Sequence, residues 1–153
     1  MKHLGQRYVQ HINRTYRRSG TLWEGRFRSC MAQGPTYVLT CYRYIELNPV
    51  RACLVWHPRD YCWSSYRASA AGAGSRTLMA HADYVALGKD DEERRAAYRA
   101  LFDAPLDPQL LRQIRCATNG NFALGSGSFQ GQAAAVLGCR VTPGKPGRPA
   151  KSN

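Results

Sequence analysis

The residues with the clearest chemical potential stand in one short run. Tyr37, Tyr42 and Tyr44 are followed by Glu46 and Asn48, and Pro49 comes next. Tyr44 and Asn48 are four apart. On a helix that spacing puts a phenol and a carboxamide on one face, one turn from each other. A phenol becomes a nucleophile when its proton leaves, although a tyrosine hydroxyl, with a pKa of about 10, is a weak one at neutral pH. A carboxamide oxygen can accept a hydrogen bond or hold a hard cation. The same pair fits a purely structural reading, in which Tyr44 packs in a core and Asn48 caps a helix opened by Pro49. Glu46 is expected to make a local ion pair rather than act as a base.

The run must be carried by a helix from about Thr36 to Leu47, because the residue before a proline disfavours the helical region and Asn48 precedes Pro49. A short helix can restart at Pro49. Upstream, residues 4–18 place Leu4, Tyr8, Ile12 and Tyr16 on one stripe, which predicts an amphipathic helix stopped near Gly20. Residues 21–31 set Trp23, Phe27 and Met31 against Glu24, Arg26 and Arg28, the pattern of a half-buried strand. Its pairing partners are not evident. Downstream, 57–67 reads as a turn and an aromatic-packed segment. Helices are predicted near 77–87, 90–102, 108–118 and 128–137, with Asp107-Pro108 as a start and Asn119-Gly120 and Gly138 as stops.

The chain has 153 residues and a formal net charge of +12. The excess is uneven: residues 1–67 carry 11 basic and 3 acidic side chains, residues 68–130 balance at 7 and 7, and residues 131–153 carry 4 basic and no acidic ones. Of the 22 basic residues 18 are arginine, and 11 of the 16 aromatics lie in the first 67 residues. Arginine among aromatics suits single-stranded nucleic acid, supplying charge for phosphates and flat faces for bases. Arg14, Arg17, Arg18, Arg26 and Arg28 could line a groove for DNA, and Arg43 and Arg51 flank the tyrosine helix within reach of phosphates. In the tail, Arg148 and Lys151 belong to a Gly-Arg-Pro segment of the kind that enters A·T minor grooves. No apolar run is long enough to cross a membrane. Met1 is not followed by an apolar signal region, so the cytoplasm is the expected compartment. The six cysteines form no CxxC pair and no zinc spacing, and are expected to be free and mostly buried.

Three segments share order and spacing with a known family. Tyr42-Arg43-Tyr44-Ile45-Glu46-Leu47-Asn48-Pro49-Val50-Arg51-Ala52, Gly20-Thr21-Leu22-Trp23-Glu24-Gly25-Arg26-Phe27-Arg28 and Asp60-Tyr61-Cys62-Trp63-Ser64-Ser65-Tyr66 together resemble the REP-associated tyrosine transposases, which are single-tyrosine HUH transposases. The similarity covers residues 4 to about 67 and continues more weakly to the tail. It implies an α+β class: the C-terminal part of a ferredoxin-like HUH domain, predominantly helical here with about one strand left, plus a helical extension. The expected layout is a catalytic portion over 1–67, a linker over 68–76, a helical extension over 77–138 and a disordered basic tail over 139–153.

The resemblance further implies that Tyr44 is the nucleophile, attacking a phosphodiester of single-stranded or hairpin DNA to form a 5′-phosphotyrosine link. Asn48 would be one ligand of a divalent metal, Mg²⁺ or Mn²⁺. The family's other two ligands come from a His-x-His motif on a strand. Here the histidines are His3, His11, His57 and His81, and no two have that spacing. His3 and His11, eight apart on one helix, are about 12 Å apart in rise, a poor substitute pair. The expectation is therefore a chain without that strand, with impaired catalysis. Two alternatives stand beside it: a DNA-binding remnant that makes no cut, and an inert fragment with an unpaired sheet edge.

Overall fold

The computed structural model describes residues 2–144 apart from 24, 26 and 35. Most of the described chain is helical, with one small parallel sheet, so the coarse α+β class holds. Helix α1 spans Lys2–Thr15, strand β1 Met31–Ala32, helix α2 Thr36–Glu46, helix α3 Asn48–Arg51 and helix α4 Tyr66–Ala71. Then come α5 (Ala82–Val85), α6 (Asp91–Ala100), α7 (Pro108–Gly120), β2 (Ala123–Leu124) and α8 (Gly127–Leu137).

Helix α2 is the centre of the packing, because two of its faces are apolar. Leu39 and Tyr42 lie against a core of Tyr66, Ala70 and Tyr98, contributed by α4 and α6. Tyr37, Cys41 and Tyr44 lie against Ile114, Ala117 and Leu124, from α7 and β2. The 3.6-residue period separates these sets around the helix axis. Helices α6 and α7 therefore clamp α2 from two sides.

Local signals hold at most helix ends. Asp90 accepts from the Glu92 and Glu93 amides to open α6, and Asp107 accepts from Gln109 to open α7. Pro49 sits in the first turn of α3, where its missing N–H costs nothing. Gly138 ends α8 in the left-handed region at φ 61°. Several expectations need correction. The segment 77–87 is helical only over Ala82–Val85. Helix α4 runs to Ala71 and buries Ala70, so the irregular stretch begins at Gly72. Among the cysteines, all free, Cys53, Cys62, Cys116 and Cys139 are exposed and only Cys30 and Cys41 are partly buried.

The strand expected over 21–31 is reduced to two residues. Met31 pairs with Ala123 and Ala32 with Leu124, in parallel. Residues 27–30 find no ladder; the Ser29 amide donates to Asn121 Oδ1 at 2.9 Å and Arg28 Nη1 to Asn119 Oδ1 at 2.8 Å. Alternation sets which face is apolar, but a strand extends only as far as a neighbour meets its N–H and C=O groups. Trp23 and Phe27 remain exposed, and Trp23 packs its ring on Tyr8 of α1 at 6.1 Å between centroids. Helix α1 has no buried residue. No described helix is long and apolar enough to cross a membrane.

Glu46 is fully buried, and its expected ion pair is absent among the described residues. Instead Ser65 Oγ donates to Oε1 at 2.6 Å and Tyr98 Oη to Oε2 at 2.8 Å. Two hydroxyls are weaker compensation for a buried carboxylate than a cation. Burial raises the Glu46 pKa above the ordinary carboxylate value, and the two hydrogen bonds oppose that rise. The folded chain thus holds this proton more tightly than the unfolded one. The contribution of Glu46 to stability is complete below the unfolded value and is lost as pH rises through the folded one. Glu46→Gln is expected to remove this loss. Denaturant titrations from about pH 4 to neutrality should show wild type losing stability relative to the variant as pH rises. Parallel pH curves would contradict this.

Candidate nucleic-acid interface

The tyrosine and the asparagine sit where α2 hands over to α3. Tyr44 is half-buried on the α2 face that packs on α7, and Asn48 is the exposed first residue of α3. Arg51, in the last turn of α3, connects them. Its Nη2 donates to the Tyr44 carbonyl at 3.0 Å and to Asn48 Oδ1 at 2.9 Å. Its guanidinium carbon lies 4.3 Å from the centroid of the Tyr44 ring. The fork meets the negative face of the ring and also closes one of the carbonyls left open at the end of α2.

This guanidinium is short of acceptors. Nε and Nη1 are shielded from solvent and have no hydrogen-bond partner. No carboxylate pairs with Arg51 among the described residues. Burial lowers its pKa, Tyr44 opposes this, and the charge of Arg115 on α7 lowers it further. An arginine remains protonated throughout. A charged donor buried without an acceptor costs about 1–3 kcal/mol or more. Two orphaned donor nitrogens in the positive field of Arg115 therefore favour an incoming anion.

The Tyr44 hydroxyl makes no hydrogen bond to a described residue, and it is not among the solvent-shielded atoms lacking a partner. The donor set fits a divalent metal poorly. Asn48 Oδ1 is engaged by a cation, and the described residues contain no group of three or more His, Cys, Asp or Glu side chains able to hold an ion. His3 and His11 lie on the exposed helix α1.

No family model matches this chain, and no curated protein or solved structure matches it significantly. Its site is accordingly read from its own geometry.

The remaining arginines divide into two kinds. Arg14, Arg17, Arg18 and Arg28 are exposed and without carboxylate partners among the described residues, although Arg28 is held by Asn119. Arg17 takes a left-handed backbone, φ 48°, in the turn after α1. Arg43 is engaged inside the fold: Nη2 donates to the Ala104 carbonyl and the guanidinium lies 5.9 Å from the Phe102 ring centroid. It braces α2 against the turn after α6. Arg26, Arg148 and Lys151 lie outside the described residues.

Two contributors escape a sequence reading. The charge of Arg115 acts on Arg51 across 64 residues of chain because α7 packs on α2, and no local pattern marks that coupling. Trp63 belongs to a segment read as aromatic-packed, yet it is 85% exposed and, with Asn48, lines an open cavity of about 200 Å³. A second cavity, about 340 Å³, lies beyond Ile45 and is lined mainly by Tyr42, Ser65, Ser69, Leu78, Met79 and Tyr84, with no cationic residue on its wall.

The geometry separates the two halves of Tyr44. The ring carries packing and the contact with Arg51, whereas the hydroxyl carries neither. Tyr44→Phe is expected to change stability by less than about 0.5 kcal/mol, and Tyr44→Ala to cost about 3–5 kcal/mol. Urea unfolding measures both. A Phe variant as damaged as the Ala variant would show that the hydroxyl is structural.

Proposed function

We propose that this chain acts on single-stranded DNA as a tyrosine transposase resembling the REP-associated family, with Tyr44 as its nucleophile. The observation that supports this most is a half-buried tyrosine whose ring lies against an acceptor-poor guanidinium. Both lie in the segment that carries the family resemblance. An entering phosphate oxygen would give Arg51 the acceptors it lacks. By drawing the fork away, it would also release Asn48 and uncover the face of Tyr44.

In the proposed cut, Tyr44 Oη bonds to phosphorus and the bond from phosphorus to the 3′ oxygen breaks. The phenolic proton leaves through solvent and a proton ends on that oxygen, giving a 3′-hydroxyl and a 5′-phosphotyrosine. Attack by a 3′-hydroxyl on the linkage rejoins a strand and frees the tyrosine. Each exchange trades one phosphoester for another, so no nucleotide triphosphate is consumed, and the sequence has no phosphate-loop motif for one. Arg51, supported by Arg115, stabilises the charge that builds on the phosphoryl oxygens. The exposed Arg14, Arg17, Arg18 and Arg28 would hold the strand's phosphates.

A second reading, a DNA-binding chain that makes no cut, is favoured by one observation. Asn48 is held by Arg51 instead of being free to ligate an ion. Denaturing gels distinguish the readings, after incubation of the full chain with a labelled hairpin-bearing strand, with and without Mn²⁺. The transposase reading predicts a covalent adduct in wild type that is lost in Tyr44→Phe and falls at least tenfold in Arg51→Ala. Salt-sensitive binding without an adduct supports the second reading and overturns the first. An adduct that survives Tyr44→Phe overturns the nucleophile, and absence of both binding and adduct overturns both readings.

A further inference from the structure

We infer that the cavity beside Asn48 is a subsite for one unstacked base of a single DNA strand, with Trp63 as its stacking platform. This inference rests on the DNA reading above and assigns that site a ligand position. The cavity is walled by Ile45, Asn48, Pro49, Leu54, Tyr61 and Trp63. Its volume, about 200 Å³, lies below the roughly 300–1,000 Å³ usual for whole small-molecule ligands, so it suits a single ring system rather than a complete nucleotide or cofactor.

Three observations select a base over other occupants. First, Trp63 is 85% exposed and Leu54 66% exposed, so a flat apolar surface lies open beside the tyrosine site. Second, an unneutralised cation adjoins the cavity: Arg51 donates to the lining residue Asn48 and is in no ion pair among the described residues. An apolar wall beside such an arginine matches a base attached to phosphate, and fits an uncharged apolar partner less well. Third, Asn48 belongs both to this cavity and to the Arg51 cluster. Its Oδ1 is engaged by Arg51, which leaves its Nδ2 hydrogens without a partner among the described residues. They suit a ring nitrogen or carbonyl oxygen on a base edge. A base seated here would fix the position of the adjacent phosphate relative to Tyr44.

The test is equilibrium binding of a labelled 12-nucleotide single strand by the full chain carrying Tyr44→Phe, so that no covalent link forms. Adding Trp63→Ala is expected to weaken binding about 5- to 150-fold, the range found for loss of one stacked base, and Trp63→Phe less. The slope of affinity against salt should not change, because no charge is removed. In the parent, an abasic substitution walked along the strand should weaken binding at one position, and Trp63→Ala should abolish that position dependence. Equal affinity of the parent and the Trp63→Ala chain overturns the subsite and leaves the DNA reading standing. If Trp63→Ala instead abolishes self-association in sedimentation and leaves DNA affinity unchanged, the face joins copies of this chain and the subsite is wrong. If the parent does not bind at all, the DNA reading and the subsite both fall.

Discussion

One guanidinium organises the junction of α2 and α3. Arg51 reaches back past Asn48-Pro49, closes the Tyr44 carbonyl, holds the Asn48 carboxamide and covers the Tyr44 ring. Proline interrupts the hydrogen-bond ladder there, because it has no N–H to donate, but it fits the first turn of α3. The arginine sits seven residues after the tyrosine and returns to the end of α2. Even with these contacts the charge lacks partners for Nε and Nη1. The junction is thus well anchored and electrostatically incomplete, which is the physical basis for proposing that an anion completes it.

The rest of the fold makes that junction rigid. Helix α2 is held on one face by Tyr66 and Tyr98 and on another by Ile114 and Leu124. Edge-on ring contacts of Tyr66 with Phe102 at 4.9 Å and of Tyr84 with Tyr98 at 5.3 Å lock the first of these cores. The buried Glu46, one helical turn from Tyr42 and two residues from Tyr44, ties α2 to α4 and α6 through hydroxyls. A buried group of this kind fixes the rotation of α2, so that Tyr44 faces α7 and Ile45 faces solvent. Rigid support behind a reactive side chain keeps it near productive geometry.

How much of this is visible in the sequence depends on the range of the interaction. Local signals place α2, α3, α6, α7 and α8, because caps and prolines act over three or four residues: Asp90, Asp107, Ser126 and Pro49 do their work within one turn. The Tyr44–Asn48 relation is equally local. Strand 21–31 fails because pairing is not local. Its alternation describes a surface, while its length is set by β2, some 90 residues away, which offers only two residues to pair. Glu46 fails in the same way, since its partners Ser65 and Tyr98 lie 19 and 52 positions distant. Arg43 looks like a phosphate contact from its place beside Tyr44, but the turn after α6 claims it. Arg51 is the instructive case: its charge suggests a role in DNA binding, and its contacts with the Tyr44 carbonyl and ring add a role at the helix junction.

The most direct test is nitrogen NMR of the arginine side chains, with the Arg51 Nε–H signal assigned by its loss in Arg51→Lys. If the guanidinium is waiting for a phosphate, adding a single-stranded oligonucleotide to the Tyr44→Phe chain should shift this signal strongly, with a coupling to phosphorus, while the Arg43 signal stays in place. An Arg51 signal that does not move at saturating DNA, while those of the exposed arginines do, would show that Arg51 is only a helix cap and would contradict the account.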